Sequence, residues 1–532
     1  MTTCGEALAR LLEAYGVELV FGIPGVHTVE LYRGLPATRI RHVTPRHEQG
    51  AGFMADGYAR VSGRPGVCFV ITGPGMTNIL TAMGQAFADS IPMLVISSVN
   101  RTEHLGMGQG RLHELPSQSA VAAGVSAFSH TVLHPSQLPE VLARAFALFA
   151  SARPRPVHIE IPTDVIRAPA GGMELTPRPL PRRPAADPAA IAQAAEWLSA
   201  ARSPLVLLGG GAVDAAQEAV ALAERLDAPV INSVNAKGIM PPGHRLHGGE
   251  NLAFGPLRDA LRTADVVLAV GTELGETEMY PDPQPVRLDG RVIRIDIDPE
   301  QLMRGFRADL PILADARLAL AALLESVPAG ARGDAARAAA LCEAVRRLWW
   351  PAVAAHKRVL DVVDELLPGA IIAGDQTQPV YGGNQFYAPG RPRSWFNSST
   401  GYGTLGYGLP AAIGAKLAAP GRPVVALIGD GGIQFTLPEL AAAVEAGTPV
   451  VVLLWNNRGY GEIRTYMADA DIRPIGVDLH TPDFVALARG FGCAAGSAGS
   501  IDELRALLAD AATASRPTLI EIDEAAAWLA LA

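Results

Sequence analysis

Two apolar runs, PVVALIG and PVVVLLW, each end in residues that carry oxygen: the first in Gly429-Asp430-Gly431-Gly432, the second in Asn456-Asn457, with 24 positions between the GDG turn and the asparagine pair. If both runs are parallel strands, one sheet edge gathers a carboxylate from Asp430, a side-chain amide oxygen from Asn457 and a main-chain carbonyl near Gly459. An all-oxygen set suits a hard cation such as Mg2+, which wants near-octahedral geometry and keeps phosphate oxygens in its shell. The glycines allow a phosphate close to the backbone, and a helix expected near Leu437 would offer that charge its N-terminus. A second stretch, Arg46-His47-Glu48-Gln49-Gly50, sets a carboxylate at the mouth of the small-residue run AGFMADGYAR, where little polar surface surrounds it. A third, Gly401-Tyr402-Gly403-Thr404-Leu405-Gly406, matches G-x-G-x-x-G with Asp430 downstream, as a dinucleotide site requires. The preceding RSWFNSST is polar and turn-like where that motif needs a strand, which argues against a dehydrogenase. Gly209-Gly210-Gly211 follows the strand-like SPLVLLG but lacks the full spacing, so a tight turn and a ligand loop both stay open.

The elements that must hold these residues are legible as composition. Short Val/Ile/Leu runs (GVCFVIT, PMLVISS, VHIEIP, SPLVLLG, DVVLAVG, VIRIDID) alternate with helical patterns, the signature of parallel sheets covered on both faces. MTTCGEALARLLEAYGVELVFG reads as an amphipathic helix and a strand. The Pro-rich segment 166–188 cannot continue a helix and marks a linker, and a weaker break falls at 326–340, ahead of a helical stretch carrying Trp349 and Trp350. The expectation is an α/β chain of three doubly wound parallel-sheet domains, 1–165, 188–325 and 345–532. The chain of 532 residues is long enough for several cores. Its net charge of −9, without Lys/Arg blocks, speaks against nucleic acid or an anionic membrane as partner. Four widely separated cysteines suggest neither a zinc knuckle nor a disulfide framework, and fit the cytoplasm. No apolar stretch is long enough to span a bilayer.

With strand-GDG-24-NN, RHEQG and GYGTLG in place, the chain resembles the thiamine diphosphate-dependent enzymes of the acetolactate synthase, benzoylformate decarboxylase and pyruvate decarboxylase superfamily, over essentially its whole length. The resemblance implies a pyrimidine-binding, a central and a diphosphate-binding domain in that order. It implies thiamine diphosphate held through Mg2+ by Asp430, Asn457 and the carbonyl of Gly459, with Gln376, Thr377, Gly429, Gly431, Gly432 and Tyr460 around the diphosphate. Glu48 becomes the carboxyl group that bonds the aminopyrimidine and so activates the thiazolium C2. Gly403 offers a carbonyl to the 4'-amine, and Leu405 props the cofactor in its bent shape, so the false dinucleotide motif is better explained as a cofactor wedge. Gly25, in the GIPG turn, lies at the cofactor. The family builds each site between two subunits, which implies a homodimer or homotetramer.

The substrate implied is a small 2-oxo acid, with His27, His113 and Glu114 as candidate catalytic groups. Where acetolactate synthases usually carry an apolar residue and a Trp, this chain has Glu462 and Tyr466. Glu462, with Asp375 and Glu114, would suit a substrate whose far end is cationic, which points to the guanidino-oxopentanoate decarboxylase branch. GIPGVHTVELYRGL and RLHELP resemble that branch too. An acetolactate-type carboligase acting on pyruvate is the alternative. FAD, which some relatives bind in the central domain, is disfavoured because their flavin-contacting stretches are not matched.

Overall fold

The computed structural model describes residues 2–278, 287–330 and 334–530; residues 331–333 of the expected second break lie outside these. Three six-stranded sheets carry the fold. The first comprises β1 (Leu19–Gly22), β2 (Arg41–Val43), β3 (Gly66–Val70), β4 (Met93–Val99), β5 (Phe128–Thr131) and β6 (Val157–Pro162), in the order β2-β1-β3-β4-β6-β5. The second holds β7 (Pro204–Leu208), β8 (Val230–Asn232), β9 (His247–Glu250), β10 (Val266–Val270), β11 (Arg291–Asp296) and β12 (Leu310–Leu313), ordered β12-β11-β10-β7-β8-β9. The third holds β13 (Ile371–Gly374), β14 (Trp395–Asn397), β15 (Val424–Gly429), β16 (Val451–Asn456), β17 (Ala494–Ser497) and β18 (Thr518–Asp523), ordered β14-β13-β15-β16-β18-β17. Described registers such as Val20 to Val67, Val267 to Leu205 and Leu427 to Leu453 are parallel. The expected α/β class of doubly wound parallel sheets is what the chain adopts.

Continuous apolar runs became central strands because helices cover both sides: β3, β4, β7, β10, β15 and β16 are buried at every position. The first and third sheets share one strand order. In both, chain direction across the sheet reverses between the first and third strand, β1/β3 and β13/β15, and ligands of such sheets bind outside the carboxyl ends at that point.

The chain divides into two compact units. One contains Met1–Pro181, Ala373–Thr377 and Tyr402–Ala526, the other Arg182–Ile372, Gln378–Gly401 and Ala527–Ala532. In the first unit the opening helix Cys4–Ala14 starts in a capping box formed by Thr3 and Glu6. The helix Glu48–Ser62 is buried along most of its length and lies against the helix Gly408–Ala418. A Cβ on Gly57 would stand 2.0 Å from the carbonyl oxygen of Ala411, and one on Gly414 would stand 1.9 Å from that of Met54. The two backbones therefore touch. Arg60, 7% exposed, bridges Asp56 (2.6 Å) and Asp89 (2.5 Å) beside this contact, and Asp56 also accepts from the hydroxyl of Tyr407.

Three local expectations differ from the structure. Trp349 and Trp350 lie in the break between the helices Ala335–Arg346 and Val353–Leu366, where Pro351 lacks the N–H a continuous helix needs. RSWFNSST contains a strand after all, β14, because Trp395 and Phe396 are buried at a sheet edge despite their polar neighbours. The helix expected near Leu437 begins at Glu439 behind Pro438, and a separate turn of helix, Asp430–Ile433, follows β15 directly.

Candidate active site

The residues singled out in the sequence fall into two groups, one at the carboxyl ends of β1 and β3, the other at those of β13, β15 and β16.

In the first group, Glu48 opens its helix and is 9% exposed. Its carboxylate accepts from the side-chain amide of Asn78 at 2.9 Å. It also lies against Gly75, in the first turn of the helix Pro74–Ala88. Beside the loop into that helix, His27 Nδ1 meets the Thr72 hydroxyl at 3.1 Å, and the rings of His27 and His113 stack edge to face with centroids 5.3 Å apart. Burial, then the neighbouring His113, pushes the His27 pKa down, which favours a neutral imidazole. Gly25 sits in the same turn, its N–H donated to the Thr28 hydroxyl at 2.8 Å. Gln118, buried, ties the loop together: it accepts from the Gly73 N–H and donates to Ser97, Ser98 and Glu160.

Glu114 is a staple within its own loop. Its carboxylate accepts from the N–H groups of Gly108 (2.8 Å), Gln109 (3.3 Å) and Arg111 (2.9 Å), and these bonds, Arg111's first, hold its pKa below the usual range.

In the second group, Asp430 is 1% exposed; Oδ1 accepts from the Asn457 N–H at 3.3 Å, while Oδ2 is buried without a partner. Burial raises its pKa. The Asn457 amide places one terminal atom 2.8 Å from the Gly459 carbonyl oxygen and 3.1 Å from Asp430 Oδ1. With the amide oxygen at that position, three acceptors converge with no proton among them; with the amide turned over, its N–H2 donates to both. No cluster of three His, Cys, Asp or Glu able to hold a metal occurs among the described residues. The convergent set instead combines one carboxylate, one amide and one carbonyl. Around it, a Cβ at Gly431 would strike the Tyr460 ring at 2.7 Å, one at Gly429 would stand 3.2 Å from the Thr377 hydroxyl, and one at Gly403 3.7 Å from the Gln376 amide nitrogen. The glycines thus let the Tyr460, Thr377 and Gln376 side chains close in on the backbone beside Asp430. Leu405 is half-buried nearby in sequence, and Glu462 is half-buried on the helix Gly461–Asp469.

Asp375 is fully buried, and its oxygens accept from the N–H groups of Gln376 (2.7 Å) and Gly408 (3.0 Å). It fastens the loop ahead of the helix Gly408–Ala418, and burial lifts its pKa to about 6. Gly432 packs against the same carboxylate.

Three family models match the chain in series. They are described as thiamine pyrophosphate enzyme N-terminal TPP binding domain (residues 2–121), central domain (191–323) and C-terminal TPP binding domain (375–522). The probable 2-ketoarginine decarboxylase AruI of Pseudomonas aeruginosa is 51% identical over 533 residues, covering 99% of this chain and 94% of that protein. The chain belongs to the thiamine pyrophosphate enzyme family. The acetolactate synthase large subunit of Corynebacterium glutamicum is 34% identical over 524 residues, 93% of this chain and 82% of its own. Acetolactate synthase isozyme 1 large subunit of Escherichia coli is 34% identical over 478 residues, 86% and 82%. In this thiamine pyrophosphate enzyme, sequence reasoning passed over Asn78, which bonds Glu48, Glu439, which accepts from Arg46 and His47, and Gln118, which ties the neighbouring loop. Only Asn78 left a trace, a polar residue in the otherwise small and apolar PGMTNILTAMG.

Proposed function

We propose that the chain is a thiamine diphosphate- and Mg2+-dependent decarboxylase of a 2-oxo acid with a cationic far end, 5-guanidino-2-oxopentanoate being the substrate, and that its domains run 1–165, 188–325 and 345–532. The observation that carries this is the 51% identity, over 99% of the chain, to a protein named as a probable 2-ketoarginine decarboxylase.

Bound thiamine diphosphate supplies a nucleophilic thiazolium carbon and an electron sink for the carboxylate lost as CO2. The residues do the rest. Asp430, Asn457 and the Gly459 carbonyl hold Mg2+; the unpartnered Oδ2 and the closeness of these three groups support this, since a hard cation takes carboxylate, amide and carbonyl oxygens. Gln376, Thr377, Gly429, Gly431, Gly432 and Tyr460 line the diphosphate, and Gly403 and Leu405 carry the amine contact and the prop. Glu48, oriented by Asn78, bonds the aminopyrimidine. His27 and His113 exchange a proton with the reacting carbon's substituents, for which a neutral His27 is suited. Glu462 faces the guanidinium. Asp375 and Glu114, whose oxygens accept from backbone N–H groups, position loops.

The protein is a homodimer or homotetramer; large apolar side chains left exposed close in sequence to both groups, Val26 at 62%, Leu112 at 60% and Phe435 at 52%, support a covering partner. It works without nucleic acid or membrane. No helix among the described residues is long and apolar enough to cross a membrane, and the free cysteines suit the cytoplasm. FAD is disfavoured: the N–H groups of Gly209 and Gly211 are already given to Val270 and Gly271, and both glycines pack on Gly271.

A carboxylate facing the guanidinium adds a charge-assisted hydrogen bond of roughly 1.5–3 kcal/mol, or about one to two powers of ten in specificity. CO2 release is therefore expected with higher kcat/KM on 5-guanidino-2-oxopentanoate than on pyruvate or 2-oxopentanoate, and Glu462→Gln erodes the preference while neutral substrates still turn over. Equal rates on charged and neutral chains, or acetolactate as the main product from pyruvate, would overturn the reading in favour of a carboligase.

A further inference from the structure

Glu439 is 1% exposed, in the first turn of the helix Glu439–Glu445, yet both its oxygens act on chain 393 residues away. Oε1 accepts from the N–H groups of Arg46 (3.0 Å) and His47 (3.1 Å), and Oε2 from that of Arg46 (3.1 Å). These donors directly precede the helix that Glu48 opens, and His47 is its N-cap, with its ring accepting from Gln49 N–H. The carboxylate can reach them because residue 50 has no side chain: a Cβ on Gly50 would stand 2.1 Å from Oε1. That gives the glycine of RHEQG, early in a buried helix, a physical reason.

A buried charge is costly, and an uncharged side chain would satisfy two N–H groups at less expense. Burial drives the Glu439 carboxyl up to about 7, opposed by the Arg46 and His47 N–H groups and by the Arg46 charge, and reinforced by Glu48. The charged neighbours are otherwise engaged. The Arg46 guanidinium turns to Glu445 (2.5 Å) and to the Thr44 carbonyl, Glu48 is bonded to Asn78, and Lys416 on the packed helix Gly408–Ala418 donates a hydrogen bond to the Arg422 carbonyl.

The geometry points to Glu439 as a positioning residue for Glu48: its carboxylate clamps the turn that aims Glu48, from the helix that follows the Asp430 turn. This rests on reading Glu48 as the group that bonds the aminopyrimidine. Because the folded-state pKa is raised, the group favours folding below the ordinary carboxylate range, and that contribution is lost as pH rises through about 7. The ionised clamp thus lowers stability while it strengthens the hold on Arg46 and His47.

Glu439→Gln keeps the shape without the charge, and Gly50→Ala pushes the carboxylate away. In apoprotein, amide hydrogen exchange of peptides covering residues 44–50, corrected for intrinsic rates, is expected to slow by about fivefold from pH 6 to 8 in wild type, since charge-assisted bonds are about twice as strong as neutral ones. Both variants stay near the fast level throughout. Unfolding free energy of Glu439→Gln at pH 8 equals or exceeds wild type, whereas kcat of the loaded enzyme falls about tenfold with KM little changed and a flattened pH profile. Wild-type protection at pH 8 in Glu439→Gln, or loss of stability with unchanged kcat, overturns the proposal. Glu48→Gln is measured alongside. Full turnover there would refute the role of Glu48, while the exchange data would still decide whether Glu439 clamps the turn.

Discussion

Asp430 holds a buried carboxylate oxygen with no partner, whereas Glu48 has one in Asn78. The two carboxylates should therefore fail differently. On the proposed metal role, Asp430→Ala should weaken thiamine diphosphate binding by at least about 100-fold, as exhaustive chelation should in wild type. Glu48→Gln should keep most of the binding but lose exchange of the thiazolium C2 proton. Calorimetry and NMR exchange separate the outcomes, and undiminished affinity in chelator would remove Asp430 from the metal site. At this scale spacing in the sequence led to Asp430 and Asn457, which the structure brings together, and to Glu48 at the mouth of its helix. The sequence is silent where a contact joins distant segments, as Glu439 does with Arg46. Asp375 and Glu114, expected from the sequence as site acids, have oxygens that accept from backbone N–H groups, a contact that sequence does not reveal.

The helices Glu48–Ser62 and Gly408–Ala418 meet backbone to backbone at Gly57 and Gly414. Gly57→Ala or Gly414→Ala places a methyl group against a carbonyl that has nowhere to go, and overpacking of this kind costs about 1–3 kcal/mol. Chemical denaturation should show that loss at either site, and the double variant should cost less than the sum because both separate the same pair. Wild-type stability in both would mean the helices stand further apart. Strands and the opening helix were legible here because periodicity is local. The Trp349-Trp350 break and β14 were not, since burial of Trp395 and Phe396 depends on neighbours remote in the chain.

Across the whole molecule, the same strand order appears in the first and third sheets, and each brings its candidate site residues to the equivalent reversal point. Alternating apolar runs made the class of fold readable, while strand order depends on crossovers that no local pattern encodes. If sites form between subunits, Glu48→Gln and Asp430→Ala proteins, each inactive alone, should regain activity when unfolded, mixed and refolded, since a mixed dimer holds one intact site. Native mass spectrometry should find a dimer or tetramer. An active monomer, or no recovery from mixed dimers, would confine the site to one chain.

The contact at Gly57 and Gly414 also bears on how the protein is made. The Glu48–Ser62 helix leaves the ribosome long before its partner is synthesised, and at roughly 5–20 residues per second the wait is on the order of half a minute. For that time the nascent chain exposes the face that later meets the second helix, Met54, Gly57 and Tyr58 among its residues, which the finished protein buries. Protection by chaperones during synthesis, and precipitation of fragments that stop before residue 408, follow from one close helix crossing.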